Sequence, residues 1–236
     1  MDIAGLQKMT LLDFPGRVAC TVFTQGCNFR CPFCHNSDLL PMKGDVYMTD
    51  EELLAFLQKR TGLLDGVCFT GGEPTMQPEL PKLMKSIKDL GYAIKLDTNG
   101  TNPKMLKEMV EAGLLDYVAM DIKNSPDCYP ETAGMDARLL SKVEQSIAYL
   151  ISGKVDYEFR TTVVEELHTE QAIEAMGKWL QDVGKGQKPG KWFLQCYTDR
   201  DSVLFAGLSA PTAETMRRYA QKLEPFADFV SLRGVD

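Results

Sequence analysis

Short β-rich runs and helical patterns alternate along nearly the whole chain, and that alternation restricts the fold more than any other feature of the sequence. Strand signals lie at Val18–Phe23, Gly66–Thr70, Ala93–Asp97, Tyr117–Asp121, Tyr157–Val163 and Trp192–Gln195. Each is a short apolar run bounded by turn-forming residues. Helical patterns cover Asp50–Lys59, Pro78–Leu90, Pro103–Ala112, Ala137–Leu150, Thr169–Val183 and Pro211–Leu223. Thr49 with Glu52 forms a capping box ahead of the first helix, and Gly91, Gly113, Gly153 and Gly184 mark helix stops. βα units in succession predict an α/β fold with a parallel sheet and outer helices, either doubly wound or barrel-like. Both architectures gather ligands at the carboxyl ends of the strands.

The 236 residues, 44% of them hydrophobic, are enough for one sizeable core, and the whole of 1–236 reads as a single domain. Gly184–Gly190 reads as a surface loop within it, not as a linker. The net charge of -7 argues against a nucleic-acid partner. No apolar run approaches a membrane span, and the first residues lack the basic and apolar regions of a signal peptide. With seven cysteines in such a chain, the expectation is a protein of the reducing cytoplasm.

Three of those cysteines, Cys27, Cys31 and Cys34, fall on the loop after the first predicted strand. Three thiols cannot all pair with one another, but as thiolates they form a soft-ligand face for a metal. A four-iron cluster usually takes four cysteines, so three would leave one iron open to a substrate. Zinc is the alternative, with His35 completing a Cys3His set, although zinc ligands are seldom adjacent in sequence. A disulfide framework is disfavoured by the odd cysteine count.

Further polar motifs sit just past other strand ends. Gly71-Gly72 precedes Glu73 and Pro74, where paired glycines permit positive φ and close approach of a ligand, and Glu73 can receive an ammonium group. An ordinary strand-to-helix turn is the simpler reading of that loop. Asp97, Thr98, Asn99 and Gly100 also read as a tight turn. Alternation sends Asp121 and Lys123 to one side of their strand end, as a surface ion pair or as a ligand site. Arg160, mid-strand, needs a partner if buried. Gln195 is a weaker candidate for lining the same cavity. His168 reads as solvated or capping, and Cys20 and Cys68 as small buried hydrophobes. Cys128 and Cys196 stand isolated. Phe29, Phe33 and Asn36 surround the cysteine loop. Residues 124–134 read as a long loop on the active face, available for docking.

The spacing of Cys27, Cys31 and Cys34, with the downstream glycines and Glu73, resembles the radical S-adenosylmethionine superfamily. The wider run from Phe23 to Asn36 and the opening Leu11–Gly16 resemble the activating proteins of anaerobic ribonucleoside-triphosphate reductase, which are glycyl-radical-enzyme activases. The resemblance implies an open (β/α)6 partial barrel, a [4Fe–4S] cluster on Cys27, Cys31 and Cys34, and S-adenosylmethionine on its open iron. It implies cofactor contacts from Phe33, Gly71, Gly72, Glu73, Pro74, Asp97, Thr98, Asn99, Asp121, Lys123, Arg160 and Gln195. It also implies a large glycyl-radical enzyme subunit as partner, an electron donor such as flavodoxin or ferredoxin, and room for a monovalent cation near Asp97 and Asp121. Activases of the pyruvate formate-lyase type, and radical enzymes acting on small molecules or RNA, are the alternatives.

Overall fold

The first strand, β1 (Ile3–Thr10), is one that the sequence did not predict. It pairs antiparallel with β2 (Ala19–Thr24), with register shifts along the ladder. The computed structural model describes every residue except Asp2 and Asp236. Next come α1 (Asp50–Gln58), β3 (Gly66–Gly71), α2 (Leu80–Asp89), β4 (Ala93–Thr98), α3 (Pro103–Glu111) and β5 (Tyr117–Asp121). After them stand α4 (Tyr129–Ala133), α5 (Leu140–Ile151), β6 (Asp156–Val163), α6 (Glu170–Val183), β7 (Trp192–Cys196), α7 (Ala213–Leu223) and β8 (Val230–Arg233). The eight strands are ordered in the sheet as in the chain, making an open α/β sheet. Every predicted strand is present, and β1 and β8 are additional.

The chain resolves into two compact units. The first comprises Met1–Asn28, Asp38–Thr98 and Lys104–Ala119. Here β2, β3 and β4 run parallel and are mostly buried, as strands covered on both faces require. The capping box is formed: Glu52 N–H donates to Thr49 Oγ1 at 3.2 Å, and Thr49 N–H to Glu52 Oε2 at 2.8 Å. That helix buries Leu53 and Leu57, while α2 buries Leu80, Leu83, Met84 and Ile87. Phe14 packs with Ala19, Ala93 and Tyr117 at the amino ends of their strands. A Cβ at Gly66 would sit 2.9 Å from the Phe14 ring, so glycine is what admits that ring.

The second unit comprises Phe29–Ser37, Asn99–Pro103 and Met120–Asp236. In it β6, β7 and β8 pair in parallel, with Phe159 opposite Trp192 and Trp192 opposite Val230. Trp192 is fully buried and its Nε1–H donates to Thr161 Oγ1 at 3.0 Å. Arg233 fastens the short β8 by a bidentate pair to the buried Glu158, 2.9 Å on each arm. Residues 124–134 are not the open loop expected from sequence. They contain α4, and Asn124, Ser125, Tyr129, Thr132 and Ala133 are buried. Tyr129 carries this reversal, because its ring packs edge-on against Phe29 and Trp179.

Candidate active site

In the first unit the glycine loop is fastened to the backbone that leads into Cys27. Gly72 N–H donates to Thr24 O at 2.9 Å, and Glu73 N–H to Gly26 O at 2.8 Å. Gly71 has φ +114°, and a Cβ on Gly72 would lie 2.1 Å from the Gly26 carbonyl oxygen. Both glycines therefore serve a close approach of the chain to itself. On the other side Gly26 N–H and Cys27 N–H donate to Leu39 O and Leu40 O. Gln77 Nε2 donates to Gln25 O at 2.6 Å. The entry to the cysteine loop is thus held by hydrogen bonds on consecutive residues.

Glu73 is only 1% exposed. Its Oε1 accepts from Thr75 N–H at 3.1 Å, Thr75 Oγ1 at 2.5 Å and Thr98 Oγ1 at 2.7 Å. Thr98 and Glu73, both expected at the site, are brought together. Thr75 was not foreseen; its signal is its place two residues after Glu73, where its N–H and hydroxyl can both donate back to the capping carboxylate. Pro74 is buried and opens a short 3-10 turn. Asp97 pairs through Oδ1 with Lys95, which is 2% exposed and also lies 3.7 Å from Cys68 Sγ. Cys68 is buried, as expected, but it faces these charged groups.

In the second unit, Asn99 Oδ1 accepts from Thr101 N–H and Oγ1 at 3.0 and 2.7 Å, so a turn role is realised for that side chain. The backbone of Arg30 donates to Ala133 O at 2.9 Å, and Cys31 Sγ lies 3.6 Å from the same oxygen. Cys34 N–H donates to Cys31 O at 3.1 Å, closing a turn between the two thiols. Burial pushes the Cys31 thiol up to about 11, against the lowering pull of Lys123; Cys34 is also raised, chiefly by burial. Lys123 Nζ stands 5.7 Å over the Phe33 ring.

Asp121 is the hub here. Its Oδ2 accepts from Lys123 Nζ at 2.9 Å and its Oδ1 from Arg160 Nε at 3.1 Å. Burial alone would raise this carboxyl, but the two cations outweigh it and hold it at about 2. The same pairing holds the Lys123 ammonium above its ordinary range against the lowering effect of burial. Arg160 thus has the partner that its mid-strand position demands. Gln195 is opposite Thr162 across the β6–β7 ladder, two residues from Arg160 and on the same face.

His168 corrects the sequence reading. It is 2% exposed rather than solvated, and Nε2 donates to Lys123 O at 2.8 Å while Nδ1 accepts from Val164 N–H at 3.1 Å. Its only sequence signal is a histidine following a strand, which does not specify burial. His35 places Nε2 2.8 Å from Thr198 O, so that nitrogen serves a carbonyl rather than a zinc ion. Cys128 is exposed, and Cys196 Sγ lies 3.7 Å from Pro211 O.

No group of three or more His, Cys, Asp or Glu side chains among the described residues is set to hold a metal ion as it stands. The fit to an iron–sulfur cluster lies instead in the donor chemistry. Cys27, Cys31 and Cys34 are all free of disulfides, and Lys123 places positive charge near Cys31 and Cys34. Thiolate ligands bound to iron release the protons that burial otherwise retains.

The Radical SAM superfamily model matches residues 21–176. A protein of Methanocaldococcus jannaschii named as a glycyl-radical enzyme activating enzyme is 28% identical, over 99% of this chain and 96% of its own. The pyruvate formate-lyase-activating enzyme of Clostridium pasteurianum is 38% identical over 130 residues, 53% of each chain. Among solved structures, a domain of pyruvate-formate lyase-activating enzyme from Bacteroides vulgatus superposes with a TM-score of 0.56 at 20% identity, covering 70% of this chain and 98% of that one. That likeness is one of fold, and it fits the open partial barrel. The chain belongs to the radical S-adenosylmethionine superfamily, whose members carry a [4Fe–4S] cluster and S-adenosylmethionine.

Proposed function

We propose that this chain is a glycyl-radical-enzyme activase whose partner is the large subunit of anaerobic ribonucleoside-triphosphate reductase. The carrying observation is the similarity to the Methanocaldococcus jannaschii activating enzyme, which extends over 99% of this chain and 96% of that one. The reductase as partner is supported by the runs Leu11–Gly16 and Phe23–Asn36. The similarity to the Clostridium pasteurianum enzyme favours a second reading, a formate-lyase type of partner.

In this reading Cys27, Cys31 and Cys34 ligate the cluster. The chemistry that such a cluster supplies with S-adenosylmethionine is one-electron cleavage of the sulfonium to methionine and a 5′-deoxyadenosyl radical, which takes a hydrogen atom from the partner's glycine. Glu73, oriented by Thr75 and Thr98, receives the cofactor's ammonium group, with Gly71, Gly72 and Pro74 shaping the loop around it. Lys123, paired with Asp121, offers a cation to the cofactor carboxylate, and Arg160 and Gln195 line the same face. Asp97 and Asn99 address the ribose. The monovalent cation that the resemblance implies finds Asp97 already paired with Lys95, and Asp121 with Lys123. Phe33 covers the cluster from water. The electron donor is of the flavodoxin or ferredoxin class.

The test is anaerobic. The chain is reconstituted with iron and sulfide, reduced and given S-adenosylmethionine, and 5′-deoxyadenosine is assayed with and without the reductase subunit. A glycyl radical signal on that subunit supports the reading; cleavage without it moves the proposal to another partner. A fully loaded Cys31→Ala protein that still cleaves would overturn the cluster ligands.

A further inference from the structure

The segment after β7 is fastened to the loop that carries Cys31 and Cys34. His35 Nε2 donates to Thr198 O at 2.8 Å, and its ring stacks on Tyr197 with centroids 5.9 Å apart. Ser202 Oγ donates to His35 O at 2.7 Å, and Ser37 Oγ to Ser202 O at 2.5 Å. Phe205 N–H reaches Pro32 O at 3.3 Å. These contacts join residues more than 160 positions apart in the chain. The segment has no regular secondary structure, and Leu204 and Phe205 turn outward at 43% and 60% exposure. Tyr197 is the exception, 1% exposed with its N–H donated to Val163 O at 3.1 Å. From Thr198 onward burial does little to place the segment, and its position is set by those polar contacts.

We infer that Tyr197–Phe205 is a strap that sets the conformation of the cysteine loop, with His35 as the positioning residue joining the two. His35 follows Cys34 directly, so its bond to Thr198 fixes the backbone just past the third thiol. Ser202 and Ser37 extend the hold by two residues. The proposed function bears on this only in what the loop carries; the mechanical coupling stands apart from it.

Hydrogen–deuterium exchange on the full chain tests the coupling. His35→Ala removes bond and stack, His35→Gln offers an amide N–H near the position of Nε2, and His35→Phe keeps only the ring. A lost hydrogen bond worth about 1 kcal/mol corresponds to roughly fivefold faster exchange. His35→Ala is expected to raise exchange about fivefold or more in residues 32–37 and 198–205 together, with His35→Gln close to the parent. Ser202→Ala applies the same test from the strap side and decides the matter if His35→Ala does not fold. Faster exchange confined to residues 32–37, or equal loosening by His35→Gln and His35→Ala, would overturn the inference. In reconstituted protein, the g-values of the reduced cluster should shift in His35→Ala and recover in His35→Gln. If the parent takes up no cluster, the proposed function fails while exchange still decides the strap.

Discussion

Glu73 donates its backbone N–H to the carbonyl of Gly26 at 2.8 Å, so the loop bearing this buried carboxylate is bonded to the residue that precedes Cys27. Two motifs some 45 positions apart share one backbone contact. The contact exists because Gly72 has no side chain, and that makes the loop unusually sensitive to a single methyl group.

Gly72→Ala should therefore be severe. The new Cβ would meet the Gly26 carbonyl oxygen at 2.1 Å, which is backbone and cannot rotate away. Overpacking of this kind costs about 1–3 kcal/mol, and more where the backbone must move. Urea denaturation should show the loss, and iron uptake after reconstitution should fall with it. A variant as stable as the parent would mean that the loop has another way to lie.

Glu73→Gln preserves shape and an oxygen acceptor for Thr75 and Thr98 while removing the charge. Stability should change little. Binding of S-adenosylmethionine to the reconstituted protein should weaken by about ten- to a hundredfold, the worth of a charge-assisted hydrogen bond of about 1.5–3 kcal/mol. Calorimetric titration measures it. Unchanged affinity would remove Glu73 from the cofactor site.

Asp121→Asn leaves Lys123 and Arg160 without the carboxylate that both contact. Breaking a fully buried pair costs about 3–5 kcal/mol, and the 30% exposure of the Asp121 side chain brings the loss here to roughly 2–4 kcal/mol. The wild-type carboxyl is held at about 2, below its ordinary 3.8, so its contribution is complete above the ordinary Asp range and is lost as pH falls through about 2. Denaturant melts of parent and variant should converge at the acid end of that window.

His168 gives a pH effect of its own at milder acidity. Burial lowers its pKa from the ordinary 6.5, so the folded protein holds it neutral while the unfolded chain takes up a proton. Its contribution is therefore complete above about pH 6.5 and shrinks as pH falls toward the lower folded value. His168→Gln can still donate to Lys123 O and cannot titrate. Its stability should fall less than that of the parent between pH 6.5 and 5, in parallel melts.

Much of this was legible in the sequence where one physical signal dominated. The parallel strands carry continuous apolar runs because both faces are covered, and the capping box announces α1. By contrast β1 carries Gly5, Gln7 and Lys8 in a half-exposed antiparallel ladder, and β8 has four residues, none of them fully buried. Those strands exist through their pairing, which a local pattern does not encode. Residues 124–134 read as loop because Pro126 and Pro130 punctuate them; the burial of Tyr129 against Phe29 and Trp179 is a tertiary fact. At the site, motif residues were found by type and spacing. Lys95 and Thr75 were missed, and His168 was read as solvated or capping, because their roles come from partners brought together by folding.

The hydrogen bonds of Gly26 and Cys27 to Leu39 and Leu40 bear on where this chain can change length. They are followed by a second anchor, Tyr47 N–H to Ile3 O at 2.8 Å. Between these anchors, Asp45 and Val46 are exposed and lie outside any helix or strand. Extra residues there would charge the fold only the entropy of a larger loop, about 0.6 kcal/mol for each doubling of its length. The same insertion between Gly26 and Cys27 would shift Cys27 relative to the glycine loop. A relative could thus acquire a new segment at residues 45–46 and leave the distance from Glu73 to Cys27 as it stands.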